Sequence, residues 1–202
     1  KYHDNILNIS SLNPDYMGFI FWEKSKRKME LDAIPEIPET INKVGVFVDA
    51  SINEIITKIK QYQLQTVQLH GNETVNFCKN VKKLGVDVIK AFSVNSEFNF
   101  NTIKDYVPFV DYFLFDTKGK LPGGNGITFD WKILEKYPYQ KPFFLSGGIG
   151  KTELDAIKIF LKTDVAKNCI AIDVNSRFET KPGLKSEIKL KKFKKLLYEI
   201  YC

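Results

Sequence analysis

The stretch that decides the fold is residues 142–176, PFFLSGGIGKTELDAIKIFLKTDVAKNCIAIDVNS. It opens with a short apolar run at 142–145 and passes through a glycine-rich loop. A helical pattern follows at 153–163, and a second apolar run lies at 170–174. A short apolar strand, a helix and another apolar strand are typical of one parallel βα unit.

The same unit repeats along the chain. Apolar runs rich in Val, Ile and Phe predict seven strands, at 18–21, 44–48, 66–69, 87–92, 112–115, 142–145 and 170–174. Helices are predicted at 4–13, 51–63, 73–84, 99–106, 130–137 and 153–163, with a lysine-rich helix at the end. Strands that are apolar nearly throughout indicate a parallel sheet covered on both faces. With no linker in the sequence, we predict one α/β domain over residues 1–202.

Composition excludes several classes of protein. The chain has 202 residues, of which 44% are apolar and 27% charged, enough for a packed core and unlike a disordered chain. No uncharged apolar run approaches the roughly 18 residues of a membrane helix, so no membrane association is predicted. The three cysteines, at 78, 169 and 202, lack the CxxC spacing of metal sites. Their odd number and spacing predict a reducing, cytoplasmic location without disulfides or a bound metal.

The net charge of +6 comes mostly from the C-terminal helix. Residues 185–202 carry six lysines against two glutamates, which accounts for +4. Apolar residues at 190, 193, 197 and 200 predict one buried stripe with the lysines facing solvent. Because no known nucleic-acid-binding motif accompanies the lysines, a solvated helix face is favoured over a nucleic-acid surface, and no nucleic-acid partner is predicted.

Polar residues gather just beyond the predicted strands, at the sheet edge where parallel α/β proteins carry their sites. Asp116 ends an apolar strand at the border of a low-dielectric interior, which makes it the best candidate for proton transfer. Its alternative role is to cap the loop. His70 follows the strand 66–69 and either contacts a ligand or hydrogen-bonds the backbone.

Arginine is rare in this chain: only Arg27 and Arg177 stand among 30 basic residues. Both lie just beyond strand ends, where a planar guanidinium can bind a carboxylate or phosphate through two hydrogen bonds. We predict that both contact a ligand, Arg27 more firmly; the alternative is that two surface arginines fall there by chance.

The loops after the last two strands predict a phosphate site. The first is SGGIG at 146–150, whose glycines let backbone N–H groups approach an anion. In the second, Ser176 to Glu179 fits the capping pattern S-x-x-E and predicts a short helix facing the same edge. A phosphate held by two such loops recurs in (β/α)8 barrels. The glycine-rich segment 119–126 suits a loop that closes over a ligand.

Taken in order, these motifs resemble the phosphoribosylanthranilate isomerase family. The matching pieces are GFIF with Ser25-x-Arg27, VGVFV, VQLHG, KAF, LFDT, GGNG with Phe129-Asp130-Trp131, LSGGI, and DVNSRFE with Pro182-Gly183. The resemblance implies a (β/α)8 TIM barrel and an Amadori rearrangement of N-(5-phosphoribosyl)anthranilate to 1-(2-carboxyphenylamino)-1-deoxyribulose 5-phosphate in tryptophan biosynthesis. It also implies no cofactor, a small phosphorylated substrate as ligand, and a monomer or homodimer.

The resemblance assigns roles to individual residues. Asp116 would be the general acid that protonates the furanose ring oxygen, and Arg27 would hold the anthranilate group. The predicted substrate-binding residues are Arg27, His70, Gly124, Gly126, Gly147, Gly148, Asp173 and Ser176.

The general base is the point of departure from the family. The family begins with a strand ending K-[IV]-C-G, whose cysteine takes the proton from ribose C2. We expect that strand to precede Lys1, which leaves seven of eight strands in residues 1–202. None of the three cysteines of this chain can replace the cysteine of the family's first strand. An impaired barrel that only binds a phosphorylated ligand is therefore the alternative. The histidine-pathway isomerase is disfavoured, because only one phosphate site is visible.

Overall fold

The computed structural model describes residues 1–117 and 130–201, and its centre is a seven-stranded parallel sheet. The strands are β1 Tyr16–Ile20, β2 Asn42–Phe47, β3 Thr66–Leu69, β4 Asp87–Val94, β5 Tyr112–Thr117, β6 Phe143–Leu145 and β7 Cys169–Ile172. Each strand pairs in parallel with its neighbours in the chain, so the order in the sheet is β1 to β7. All seven predicted strands are present, each within two residues of the predicted bounds.

Within the described residues, five α-helices connect or flank these strands. They are α1 His3–Ser10, α2 Ile52–Tyr62, α3 Val75–Lys82, α4 Leu154–Phe160 and α5 Glu187–Tyr201. The helices predicted at 99–106 and 130–137 exist, but both are 3-10 helices, Phe100–Phe109 and Trp131–Lys136. The first contains Pro108, which has no N–H to donate. Further 3-10 turns are Lys151–Glu153, Asp164–Asn168 and Ser176–Phe178.

A small antiparallel hairpin, which the sequence did not predict, precedes α5. Its strands are β8 Glu179–Lys181 and β9 Leu184–Lys185. The chain reverses at Gly183, whose φ of +80° is a conformation that favours glycine. The hairpin carries Glu179 and Lys185 back toward the end of the sheet.

The parallel sheet curls, as the contacts inside it show. Tyr16 on β1 and Phe144 on β6 are five strands apart in the sheet, yet their ring centroids are 4.9 Å apart. Inward side chains of β2, β4 and β5 complete this inner core, while outward side chains pack against the helices. The fold class is therefore the predicted one, a (β/α)8-type barrel to which the described residues contribute seven strands.

A cleft of about 620 Å³ lies between β1 and β7, the two outer strands of the curled sheet. Its outer wall comes from α1 and α5, which contribute Ile6, Leu190 and Phe193. Phe193 is buried and packs on Phe178 with ring centroids 4.9 Å apart, which confirms the predicted apolar stripe of α5. No helix in the described part of the chain is long and apolar enough to cross a membrane.

Candidate functional site

The carboxyl ends of four strands bring polar side chains into this cleft. Above the apolar inner core, the cleft is lined by His70, Asp116, Ser146 and Asp173. The backbone N–H groups of His70, Ser146 and Asp173 each donate to a carbonyl of the neighbouring strand at 2.8–2.9 Å. Because the ladder of hydrogen bonds extends past the strands, these side chains stand on rigid backbone.

Asp116 lies where the general acid is predicted. Its side chain is buried, with 4% of the residue exposed. Oδ1 accepts a hydrogen bond from the N–H of Thr117 at 2.8 Å, and Oδ2 lies 3.4 Å from Nε2 of His70. His70 itself does not use its ring to bind the backbone: Nδ1 is 2.9 Å from the side-chain nitrogen of Gln68.

Asp173 is a second buried carboxyl in the same cleft. Burial raises its pKa, and the nearby charge of Asp116 adds to this effect, while a hydrogen bond from Ser146 Oγ opposes it. The Ser146 hydrogen bond is 2.7 Å long and ends on Oδ2 of Asp173. The cleft thus holds two carboxyl groups in different surroundings, which is the arrangement that lets one be protonated while another is charged.

The glycine loop after β6 is pressed against the end of β5. Gly147 and Gly148 have φ values of +97° and +62°, which are conformations that favour glycine. A Cβ atom on Gly147 would stand 2.6 Å from the backbone nitrogen of Thr117 and 3.0 Å from Oδ1 of Asp116. Only glycine fits this close approach. The Gly150 N–H is already occupied, because it donates to Glu153 at 2.7 Å.

Arg27 lines the cleft and is held by an acidic residue of this chain. Its Nε donates to Glu179 Oε1 at 2.9 Å, and Nη2 donates to Oε2 at 2.8 Å. Glu179 also accepts from the backbone N–H of Gly183 at 3.1 Å. The capping role predicted by S-x-x-E is therefore wrong: Ser176–Phe178 form a short 3-10 turn, but Glu179 binds Arg27 instead of the turn.

Lys185 is the second cation on Glu179, at 3.0 Å from Oε1. Burial lowers the pKa of Lys185, and Glu179 counteracts that effect. Burial would raise the pKa of Glu179, but the hydrogen bonds from Arg27 and Lys185 outweigh it, so the net pKa is lowered. The prediction that all six C-terminal lysines lie on a solvated helix face is thus wrong for Lys185. It precedes α5, and its Nζ also contacts Oδ1 of Asn175.

The structure brings most of the predicted residues together. Those that line the cleft are Arg27, His70, Asp116, Gly147, Gly148, Asp173 and Ser176. Gly124 and Gly126, like the closing loop predicted at 119–126, lie outside the described residues. Arg177 stands on the turn beside Gly150 and is not among the described residues that line the cleft.

Sequence reasoning missed three members of the site: Gln68, Glu179 and Lys185. Gln68 had a signal, because it is the one amide in the four-residue buried strand β3. Lys185 also had a signal, since it lies five residues before Leu190, where the apolar pattern of α5 begins. Glu179 had none, because its partner Arg27 is 152 residues away in the chain.

The described cysteines are poor candidates for a base. Burial raises the pKa of Cys78 to about 11 and that of Cys169 to about 12, so both thiols stay protonated near neutral pH. Cys78 also lies in α3, outside the cleft. Within residues 1–117 and 130–201, no group of three or more His, Cys, Asp or Glu side chains could hold a metal ion.

Comparison with known proteins gives a consistent result. The family model described as N-(5'phosphoribosyl)anthranilate (PRA) isomerase matches residues 2–195. The N-(5'-phosphoribosyl)anthranilate isomerase of Parabacteroides distasonis is 42% identical over 194 residues, covering 94% of this chain and 86% of that protein. The enzyme of the same name from Petrotoga mobilis is 39% identical over 194 residues, covering 93% and 87%.

Solved structures agree with the sequence comparison. The crystal structure of phosphoribosyl anthranilate isomerase from Thermotoga maritima superposes with a TM-score of 0.80 at 30% identity, covering 98% of this chain and 95% of that one. A structure of phosphoribosyl anthranilate isomerase in complex with reduced 1-(o-carboxyphenylamino)-1-deoxyribulose 5-phosphate gives a TM-score of 0.78 at 28% identity, covering 98% and 94%.

Proposed function

The chain belongs to the N-(5'-phosphoribosyl)anthranilate isomerase family, and we propose that its cleft carries out the family's Amadori rearrangement with Asp116 as the general acid. The substrate is N-(5-phosphoribosyl)anthranilate, and the product is 1-(2-carboxyphenylamino)-1-deoxyribulose 5-phosphate, an intermediate of tryptophan biosynthesis. The observation that carries the proposal is the buried Asp116 carboxyl, which stands beside His70 in the cleft.

The reaction needs one acid and one base and no redox partner. Asp116 gives its proton to the furanose ring oxygen, the C1–O bond breaks, and the anilino nitrogen lone pair forms a C=N bond. A base then removes the proton from C2, and the resulting enol-amine becomes the ketone by tautomerisation. The acid must be protonated and the base ionised at one pH, which requires different surroundings for the two groups.

Substrate binding is assigned to the residues around the acid. Arg27 holds the anthranilate carboxylate, supported by the fact that Glu179 fixes the orientation of its guanidinium. The loops after β6 and β7, with Gly147, Gly148 and Ser176, hold the phosphate. The two positive charges of Arg27 and Lys185 and the one negative charge of Glu179 sum to +1, which favours an anionic ligand. Gly124 and Gly126 remain predicted substrate-binding residues.

The base is assigned by the resemblance alone. A cysteine of the K-[IV]-C-G kind would stand on a strand added between β1 and β7, since the cleft there opens beside Asp116. Among the described residues, neither Cys78 nor Cys169 suits the role, because burial keeps both thiols protonated. We further propose that the protein works in the cytoplasm as a monomer or homodimer, consistent with its two described free cysteines.

Binding and turnover of an Asp116→Asn variant test this proposal. We expect reduced 1-(o-carboxyphenylamino)-1-deoxyribulose 5-phosphate to bind the variant about as well as the unchanged protein, while turnover falls by about 10²–10⁴, the usual contribution of a general acid. Asp105→Asn, at an exposed carboxylate far from the cleft, is the matched control.

Two results would contradict the proposal. Unchanged turnover in Asp116→Asn would remove Asp116 from the chemistry. Tight binding of the analogue without turnover by the unchanged protein would favour a barrel that only binds a phosphorylated ligand.

A further inference from the structure

Gln68 is a buried amide in an otherwise aliphatic part of the barrel interior. It lies on β3, where its register partners are Val46 on β2 and Ile89 on β4. Only 9% of its surface is exposed. Burying an unsatisfied amide costs about 1–3 kcal/mol, so a glutamine at this position needs a hydrogen-bond partner.

That partner is His70, two residues further along the same strand face. Alternation along a strand puts residues 68 and 70 on the inner face of the sheet. Gln68 Nε2 lies 2.9 Å from His70 Nδ1. An amide nitrogen can only donate, so Nδ1 must accept. A neutral His70 in this contact therefore carries its proton on the other ring nitrogen, Nε2.

Nε2 of His70 is buried and makes no hydrogen bond within the part of the chain that the structure describes. It faces Oδ2 of Asp116 at 3.4 Å. The other oxygen, Oδ1, already accepts the N–H of Thr117. The Nε2 proton thus lies close to the oxygen of Asp116 that is free of this backbone contact, without forming a hydrogen bond to it in this structure.

We propose that Gln68 is a positioning residue that holds His70 in the tautomer with its proton on Nε2, as a donor toward Asp116. The inference rests on the proposed function, in which this donor stabilises the carboxylate that remains once Asp116 has given its proton to the substrate. The other charged groups near this pair are Asp173, behind Ser146, and Lys185. The reversed amide, with Oε1 toward Nδ1, would place the proton on Nδ1 and contradict the proposal.

Nitrogen NMR of histidine-labelled protein tests the tautomer without any substrate. The chain has only two histidines, so a His3→Asn variant assigns the His70 signals. We expect a single neutral tautomer with the proton on Nε2. Gln68→Met, which keeps the shape but removes the donor, should shift His70 toward a mixture of tautomers. Ile89→Val, a change in the same layer that removes no hydrogen bond, should leave the tautomer unchanged.

Gln68→Glu gives a second, opposite result. A carboxylate beside Nδ1 favours a proton there, so the nitrogen NMR signals of His70 should show Nδ1 protonated, opposite to the unchanged protein. A proton on Nδ1 in the unchanged protein would overturn the proposal. So would a His70 tautomer that Gln68→Met leaves unaltered while its amide spectrum shows a folded protein.

Kinetics supply the functional readout. Gln68→Met should lower kcat about tenfold with KM changed less than threefold. The pH–rate profile of Gln68→Met should also differ from that of the unchanged protein, because the donor that faces the Asp116 carboxyl is no longer held in place. An unchanged kcat and an unchanged pH–rate profile would overturn the catalytic part of the proposal. The NMR result stands apart from turnover, so a failure of the proposed function and a failure of this inference are distinguishable.

Discussion

At the scale of single residues, the site depends on charges whose partners lie far away in the chain. Arg27 was predictable, because arginine is rare here and this one follows a strand. Its partner Glu179 was not, because the local pattern around it fits a helix cap equally well. Only the curl of the sheet brings the hairpin that carries Glu179 next to the loop that carries Arg27. Local sequence patterns identify Arg27 as a candidate, but they do not identify Glu179, which fixes its orientation.

Removing the Glu179 charge should destabilise the protein at neutral pH. Glu179→Gln leaves Arg27 and Lys185 without their carboxylate, at an expected cost of about 2–4 kcal/mol in the free energy of unfolding. This is somewhat less than for a fully buried pair, because both cations remain partly exposed. Urea denaturation of the variant beside unchanged protein measures the difference.

The pH dependence of that difference has a definite sign. The pKa of Glu179 is lowered in the folded protein, so the stability it contributes is complete above its usual value of 4.5 and is lost as the pH falls through the folded value. The difference in the free energy of unfolding between the variant and the unchanged protein should therefore be largest near pH 7 and should shrink below about pH 4.5. A gap that stays constant down to pH 3 would contradict the ion pair.

At the scale of the elements, the strands were predictable and the nature of several helices was not. Continuous apolar runs located every strand of the parallel sheet, because burial on both faces leaves little choice of residue type. The 3-10 helices at Phe100–Phe109 and Trp131–Lys136 look like α-helices in sequence. Apolar residues three or four positions apart fit an α-helix and a 3-10 helix equally well. The hairpin β8–β9 was missed because each of its strands is three residues or shorter.

The connection from β3 to α3 is held by a buried ion pair that was not predicted from the sequence. Lys90 on β4 donates to Glu73 Oε2 at 3.0 Å, and both side chains are about 2% exposed. Lys90 also donates to the carbonyl of Gly71 at 2.8 Å, and Glu73 accepts the N–H of the same residue. This network sets the turn directly after His70.

Lys90→Met should be strongly destabilising. It leaves the Glu73 carboxylate buried without its cation, for which a loss of about 3–5 kcal/mol is expected. Lys82→Met provides the matched control, because Lys82 forms a more exposed pair with Asp111 and its loss should change the free energy of unfolding by no more than about 1 kcal/mol. Equal effects of the two variants in urea denaturation would refute the importance of the buried pair.

At the scale of the whole molecule, the curled sheet has two outer strands. Within residues 1–117 and 130–201, β1 pairs only with β2 and β7 only with β6. Unpaired strand edges are templates for association between chains. β7 also exposes an apolar side chain at this edge, Ile170, of which 44% is accessible to solvent. The class of fold was predictable from the repeated βα unit, whereas the shape of the cleft required the packing of α1 and α5.

As long as no further strand pairs with β1 and β7, we expect residues 1–202 to associate in a concentration-dependent way through this edge. Ile170→Lys should reduce the association, because a charge on an edge strand opposes pairing. Ile159→Lys, at a 65% exposed residue on α4 away from the edge, is the control and should leave the association unchanged. Light scattering after size-exclusion chromatography measures the mass, and association that both variants abolish equally would argue against the strand edge.

The most direct test of the proposed function is turnover of N-(5-phosphoribosyl)anthranilate by the purified protein with the expected K-[IV]-C-G strand in place, followed through the loss of the substrate's anthranilate fluorescence. The family assignment and the buried Asp116 predict a fluorescence decay that is faster than the spontaneous reaction, that yields the carboxyphenylamino-deoxyribulose phosphate, and that slows by about 10²–10⁴ in Asp116→Asn. A decay at the spontaneous rate, the same for the unchanged protein and the Asp116→Asn variant, would contradict it.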